Sequence, residues 1–292
     1  MNKFTIKDLE NLSGIKAHTI RIWEQRYNFL KPQRTNTNIR YYSNEELKTV
    51  LNIALLNKYG FKISHIDRMQ PGEIKERILS LGDTMAVQER VINELVLEMV
   101  DLDMAKFEKI ISNYISSKGI ERTVMQIIFP FLEKIGILWQ TGNINPAQEH
   151  LVTNIIRQKL IAGIESTVAP VRLDKTFLLF LPEGEHHELG LLFMYYLLKS
   201  RGANTIYIGA NVPVKDVEYI IRVKKPDIAF THLTTAGPGF NFEKFLTAIQ
   251  KGFGDVSTII SGQLASRYKK KTPANVQVKR SLPEVMEYLS SL

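Results

Sequence analysis

The residues of this chain best suited to chemistry lie in Glu185-His186-His187-Glu188-Leu189-Gly190. His187 has a carboxylate two positions before it and a glycine three positions after it. A metal-bound imidazole gives one ring nitrogen to the metal and uses the other for a hydrogen bond that fixes its orientation, often to a carboxylate. Glu185 is spaced to be that carboxylate, and Gly190 permits close approach. Taken alone, a histidine at this kind of position is more often a plain polar loop residue. Its company raises it: Thr231, Thr235, Ala236, Gly237, Ser261 and Gly262 offer small side chains where a bulky ligand needs room. His186 and His232 read as structural or surface histidines.

Two other groups stand out. Trp139 is followed after nine residues by Glu149-His150. On spacing alone this is a core tryptophan and a solvated first helical turn, where a carboxylate is favoured by the helix dipole anyway. Near the chain start, Thr19, Arg21, Arg26, Tyr27, Arg34, Arg40 and Tyr41 form a set suited to phosphate and base edges. Each has a bland alternative as an ordinary surface or core side chain.

The elements that must position these residues follow from periodicity and caps. Thr5 caps a helix with apolar residues at Ile6, Leu9 and Leu12; Gly14 turns the chain, and a second helix runs from about 16 to 27. Helix, glycine turn, helix is the helix-turn-helix signature. Turn residues flanked by β-formers at 31–42 read as a two-stranded wing carrying Arg34 and Arg40. Ser43-Asn-Glu-Glu46 caps a third helix to about Tyr59, and a short fourth covers 62–69. Residues 72–168 have only helical patterns, at about 73–81, 84–100, 104–117, 119–139 (interrupted at Pro130) and 145–165, with Val91, Leu95, Met99 and Leu151, Ile155 as inward stripes. A four-helix bundle with a lead-in helix is the simplest arrangement. From Asp174 onward, candidate strands at 176–181, 205–209, 227–232, 257–261 and 276–279 alternate with helices. Helix-length crossovers between buried strands require a parallel, doubly wound sheet, in which ligands gather at the strands' C-terminal edge. His187, Thr231-His232-Leu233 and Ser261-Gly262 all fall on that edge.

Composition narrows the function classes. At 292 residues there is room for about two domains. The absence of cysteine excludes disulfides, thiolate metal sites and cysteine nucleophiles. No apolar run approaches the ~18 residues of a membrane span, and the first residues do not form a signal peptide, so a cytoplasmic protein is expected. The net charge of +8 is uneven: residues 1–70 carry twelve Lys/Arg against six Asp/Glu, whereas 71–171 are slightly acidic. A basic N-terminal module points to a polyanion.

The N-terminal pattern resembles the MerR family, through Ile6-Lys-Asp-Leu, Thr19-Ile-Arg-Ile-Trp-Glu-Gln-Arg-Tyr27 and Arg40-Tyr-Tyr-Ser43. The resemblance implies a winged helix-turn-helix whose second helix enters the major groove of double-stranded operator DNA, with Thr19, Arg21, Arg26 and Tyr27 at bases or phosphates and Arg34, Arg40 and Tyr41 placing the wing on backbone. The C-terminal pattern resembles the cobalamin-binding fold, whose fingerprint is Asp-x-His-x-x-Gly, Ser-x-Leu and Gly-Gly. The matches are Glu185 to Gly190, Thr231-His-Leu233 and Ser261-Gly262, separated by forty and twenty-seven residues. Glu185, Thr231 and Ser261 replace the usual Asp, Ser and Gly.

Together the three modules resemble the CarH/LitR group of light-responsive repressors, which carries the same Trp, nine residues, Glu-His in its bundle. The fold class this implies is multidomain, α followed by α/β: a winged helix-turn-helix at 1–71, a four-helix bundle at 72–168, and a doubly wound, flavodoxin-like cobalamin-binding domain at 169–292. The resemblance implies adenosylcobalamin as cofactor, with His187 as lower cobalt ligand, Trp139, Glu149 and His150 around the adenosyl group, and Glu185, Gly190, Thr231, Leu233, Ser261 and Gly262 in the remaining site. Light would break the cobalt–carbon bond and change oligomer and DNA binding, so a homo-oligomeric, non-enzymatic repressor is expected. Some relatives have a histidine after the Trp; here Gln140 stands there, a poor cobalt ligand. The alternative is a MerR-like regulator whose C-terminal region needs no cobalamin and serves oligomerisation or a partner. A cobalamin-dependent enzyme would need a substrate-activating domain for which three modules leave no room.

Overall fold

Two capping boxes set the frame of the N-terminal part. Thr5 and Asp8 exchange side-chain and backbone bonds at the start of α1 (Ile6–Ser13), and Ser43 and Glu46 do the same for α3 (Asn44–Lys58). Gly14 ends α1 at φ 74°, a left-handed position that leads directly into α2 (Ala17–Arg26). The wing is a short antiparallel pair, β1 (Gln33–Arg34) with β2 (Arg40–Tyr41), and a Phe4–Tyr42 bridge ties it to the chain start. Phe4, Leu9, Ile20, Trp23, Tyr42 and Leu47 are buried together as its core. The computed structural model of the protein describes residues 3–140, 144–235, 237 and 239–292, without the side chains of Ile137, Trp139 and Gln140.

The chain divides into two compact units, Met1–Ile156 and Arg157–Leu292. After α4 (Ile63–Ile66) and the lead-in helix α5 (Pro71–Ser80), the first unit continues with α6 (Thr84–Asp101) and α7 (Met104–Lys118). Next comes a helical stretch of three pieces: α8 (Ile120–Thr123), a π-turn at Val124–Ile128, and α9 (Phe129–Gln140). The expected interruption at Pro130 therefore takes another form. Proline cannot donate to the preceding turn, and a wider turn just before it absorbs the lost bond while the helix continues. In α10 (Pro146–Ser166) the buried large apolar residues are Val152, Ile156, Leu160 and Ile164, whereas Leu151 is 45% exposed. The stripe expected at Leu151 and Ile155 thus loses to one a residue later. Its i, i+4 spacing runs longer and presents more apolar surface.

The second unit is a five-stranded parallel sheet in the order β4-β3-β5-β6-β7. The strands are β3 (Leu173–Pro182), β4 (Ala203–Val212), β5 (Ile228–His232), β6 (Ser257–Ser261) and β7 (Val276–Val278). The helices between and after them are α11 (Leu189–Ser200), α12 (Val214–Lys224), α13 (Phe242–Gly252), α14 (Gln263–Arg267) and α15 (Leu282–Ser290). With the first strand second in order, this is the flavodoxin-like arrangement, and the order reverses beside β3. Phe177 to Leu181 are all buried, so both faces of β3 are covered. Among the described residues no helix is long and apolar enough to cross a membrane.

Candidate metal-ligand site

The loop after β3 brings His187 to the C-terminal edge of the sheet, beside the ends of β5 and β6. Its ring Nδ1 lies 2.6 Å from Glu185 Oε1, and the same oxygen accepts the His187 backbone N–H at 2.9 Å. Glu185 Oε2 accepts the backbone N–H groups of Thr234 and Thr235 at 2.8 and 2.9 Å. The glutamate is buried, yet the His187 side chain is 53% exposed. Burial pushes the Glu185 carboxyl up, but the bonds from the His187 ring, the His187 N–H and Thr235 N–H outweigh it and hold the group below the usual carboxylate range. An ionised carboxylate on Nδ1 keeps a proton there, so Nε2 is the nitrogen a metal ion would use.

The neighbouring strand ends are in register: Phe180 with Thr231, Thr231 with Ile260, and His232 with Ser261. Leu233 N–H donates to Ser261 O at 2.8 Å, and Leu264 N–H donates to Leu233 O at 3.0 Å, which locks the two loops together. Gly262, at φ 101°, passes so close that a Cβ would lie 2.3 Å from Leu233 O. Only glycine satisfies both demands. The Thr231 hydroxyl is buried with no hydrogen-bond partner among the described residues, a costly condition that a bound ligand can relieve.

Gly190 has a different reason from the one expected. A Cβ there would lie 2.4 Å from the ring of His232, so what approaches Gly190 is the protein's own imidazole. His232 Nδ1 is 2.8 Å from Ser261 Oγ, and burial pushes its pKa down to about 4, which keeps it neutral. Glu185, His187, Gly190, Thr231, Leu233, Ser261 and Gly262 are therefore brought to one sheet edge. His232, read as structural from sequence, packs between Gly190 and Ser261.

In the first unit, Glu149 and His150 occupy the first turn of α10, with His150 Nδ1 3.4 Å from Glu149 Oε2. Sequence reasoning passed over Gln148. It is buried, receives Asn145 N–H on its carbonyl at 2.9 Å, and donates to Met99 O and Val100 O at 3.2 and 3.3 Å. It fixes the start of α10 on the end of α6 and so places its two neighbours. The Trp139 and Gln140 side chains lie outside the described residues.

On α2, burial of Ile20 and Trp23 turns His18, Arg21 and Gln25 outward on one stripe, with Arg26 beside it. His18 and Gln25 were missed, although their i, i+3, i+7 spacing with Arg21 gives them away. Thr19 is half-buried. Tyr27 stacks on Phe29 with centroids 5.5 Å apart. Arg40 Nε lies 3.3 Å from Glu24 of α2, and Glu24 also accepts the Tyr42 hydroxyl, so one carboxylate braces the wing against the helix. Arg34 donates to the Asn38 side chain at 2.8 Å across the wing turn, and the Tyr41 hydroxyl donates to Gln33 at 2.5 Å.

Residues 4–73 match the family described as MerR HTH family regulatory protein, and residues 91–162 match the family described as B12 binding domain. This chain joins a MerR helix-turn-helix to a B12-binding domain. It is homologous to two Myxococcus xanthus proteins: the HTH-type transcriptional repressor CarH, 23% identical over 90% of each chain, and the HTH-type transcriptional repressor CarA, 24% identical over 91% of this chain and 88% of that one. Among solved structures, the monomethylamine corrinoid protein of Methanosarcina barkeri matches with a TM-score of 0.52 at 11% identity, over 70% of this chain and 100% of that one. That likeness concerns the fold.

Proposed function

We propose that this MerR-type, B12-domain chain is a DNA-binding repressor, not an enzyme, whose hold on its operator is set by adenosylcobalamin and light. The observation that carries the reading is the His187 loop: an exposed imidazole oriented through Nδ1 by a buried carboxylate at 2.6 Å. The surrounding residues fit a corrinoid. Thr231 has a buried hydroxyl with no partner among the described residues, and Gly262 keeps side-chain bulk from between the β5 and β6 ends. When bound, adenosylcobalamin supplies cobalt in a macrocycle and a photolabile cobalt–carbon bond.

The chain's own residues do the rest. His187 Nε2 would hold the cobalt, and Glu185 keeps the imidazole in the ligating tautomer. Thr231, Leu233, Ser261 and Gly262 would hold the rest of the corrinoid, with Gly190 supporting them through His232. By the resemblance, Trp139, Glu149 and His150 would serve the adenosyl group. The functional modules are 1–71 for DNA, 72–168 as cap and 169–292 for the corrinoid. On DNA, His18, Arg21, Gln25 and Arg26 face the major groove, with Thr19 and Tyr27 at its rim, and Arg34, Arg40 and Tyr41 set the wing on backbone. Homo-oligomerisation pairs these readers on a repeated operator. Two states that bind cofactor differently must also bind DNA differently if the units are coupled.

The test is an absorption spectrum of the full chain mixed with adenosylcobalamin in darkness and desalted, then exposed to green light, with gel filtration and operator binding on both samples. The expected result is a retained corrinoid spectrum that changes on illumination together with assembly and DNA binding. Protein that emerges colourless refutes the cofactor reading. A cobalamin-independent oligomerisation module would then remain for the second unit.

A further inference from the structure

The His187 loop is held at both ends by different parts of the second unit. On its N-terminal side, Glu185 is fixed by the backbone of Thr234 and Thr235. On its C-terminal side stands Glu188, and both of its oxygens are engaged. Oε1 accepts the Tyr207 hydroxyl of β4 at 2.7 Å, and Oε2 accepts Arg157 Nε of α10 at 2.8 Å. The Tyr207 ring is itself stacked on Tyr195 of α11, with centroids 5.2 Å apart. Glu188 also starts α11, and its backbone N–H closes a tight turn onto His186 O at 2.9 Å. Between the two anchored carboxylates lie only His186 and His187.

We infer that Arg157 is a positioning residue for His187: through Glu188 it fixes the C-terminal end of the ligand loop, so that α10 helps set how firmly the imidazole is presented to cobalt. This rests on the reading of His187 as the lower ligand. An exposed ion pair contributes little as a rule. Here, however, the Glu188 side chain is only 17% exposed, and its other oxygen is already committed to Tyr207, so ordering it for Arg157 costs little more entropy. The bonds are charge-assisted. Burial and then Glu188 push the Tyr207 hydroxyl up, and the Glu188 bond raises the Arg157 guanidinium, so both remain donors. Arg157 thereby acts on the loop without any contact between Arg157 and the cofactor.

The test compares the full chain with Arg157→Gln, Arg157→Lys and, as a surface control, Arg222→Gln. Three readouts apply: hydrogen exchange of residues 185–190 without ligand, affinity for hydroxocobalamin by absorbance titration, and the nitrogen splitting that an axial imidazole imposes on the paramagnetic resonance of cob(II)alamin. Arg157→Gln should raise loop exchange and weaken affinity about tenfold each, the factor expected for one hydrogen bond to a charged group. It should also add a signal lacking the nitrogen splitting, with Arg157→Lys falling between. Arg222→Gln should match wild type in all three. If wild type binds hydroxocobalamin and Arg157→Gln equals it in exchange, affinity or splitting, the inference is overturned and the His187 reading stands. Wild type that binds no cobalamin overturns both.

Discussion

Replacing Glu185 with glutamine changes one atom, and the structure says what that atom does. The carboxylate accepts four donors: the His187 ring and N–H on Oε1, and the Thr234 and Thr235 N–H groups on Oε2. A glutamine amide has one accepting oxygen. With that oxygen toward the two threonines, the NH2 group faces His187, leaving its backbone N–H unmet and forcing Nδ1 to become an acceptor. The reverse orientation leaves two backbone N–H groups unmet, so the first is preferred. Its cost is one unsatisfied donor, about 1–3 kcal/mol, lowered somewhat by no longer burying a charge. A net loss near 1.5 kcal/mol corresponds to roughly a tenfold rise in opening, readable as faster hydrogen exchange of β3 and β5 amides. The tautomer matters more. An acceptor at Nδ1 places the proton on Nε2, which removes the ligating lone pair, and hydroxocobalamin affinity should fall by about 10–100-fold. Glu185→Gln with unchanged exchange and unchanged affinity would refute the claim that this carboxylate sets the imidazole's tautomer.

Other outcomes follow from the same geometry. Gly262→Ala should unfold at lower denaturant and lose cobalamin, because its Cβ would meet Leu233 O at 2.3 Å and its φ of 101° disfavours any side chain. Lys134 donates to Asn93 at 2.6 Å, and burial pushes its pKa down from 10.5 to about 8. Since the folded pKa is depressed, its charging cost is full below pH 8 and relieved between pH 8 and 10.5. Urea denaturation of wild type should therefore show a stability gain of up to about 3 kcal/mol over that window, a gain Lys134→Met lacks. Arg21→Ala should lower the slope of log affinity against log salt by about one if Arg21 meets a phosphate. Arg40→Ala should lower it too, and should additionally loosen the wing, since Glu24 loses a partner; nuclear magnetic resonance of the free protein would detect that change.

How much of this was legible in the chain depends on the range of the interaction. Local signals served well. Thr5-x-x-Asp8 and Ser43-x-x-Glu46 announced two helix starts, and buried apolar runs announced the strands. The Glu185–His187 bond spans two residues, and spacing alone could suggest it. What escaped was either ambiguous or distant. Leu151 and Val152 are adjacent apolar residues on neighbouring faces of α10, and only packing decides between them. The side-chain partners of Glu188 lie 19 and 31 residues away, and the Met99 and Val100 carbonyls that Gln148 reaches lie nearly fifty, so no periodicity points to them. Ser261 looked like a substitution in a glycine position; its hydroxyl proved to be the partner of His232, 29 residues earlier.

The contact between Gly190 and His232 also limits the order in which this site can change. While the His232 ring lies where a Cβ on residue 190 would stand, alanine at 190 displaces the ring, and with it the bond to Ser261. Trimming His232 first opens that space, after which residue 190 is free to accept a methyl group. One order of the two substitutions passes through a clash, the other through a cavity. A lineage descending from this sequence therefore has a tolerated route and a blocked one to the same double variant, and the route depends on which residue mutates first.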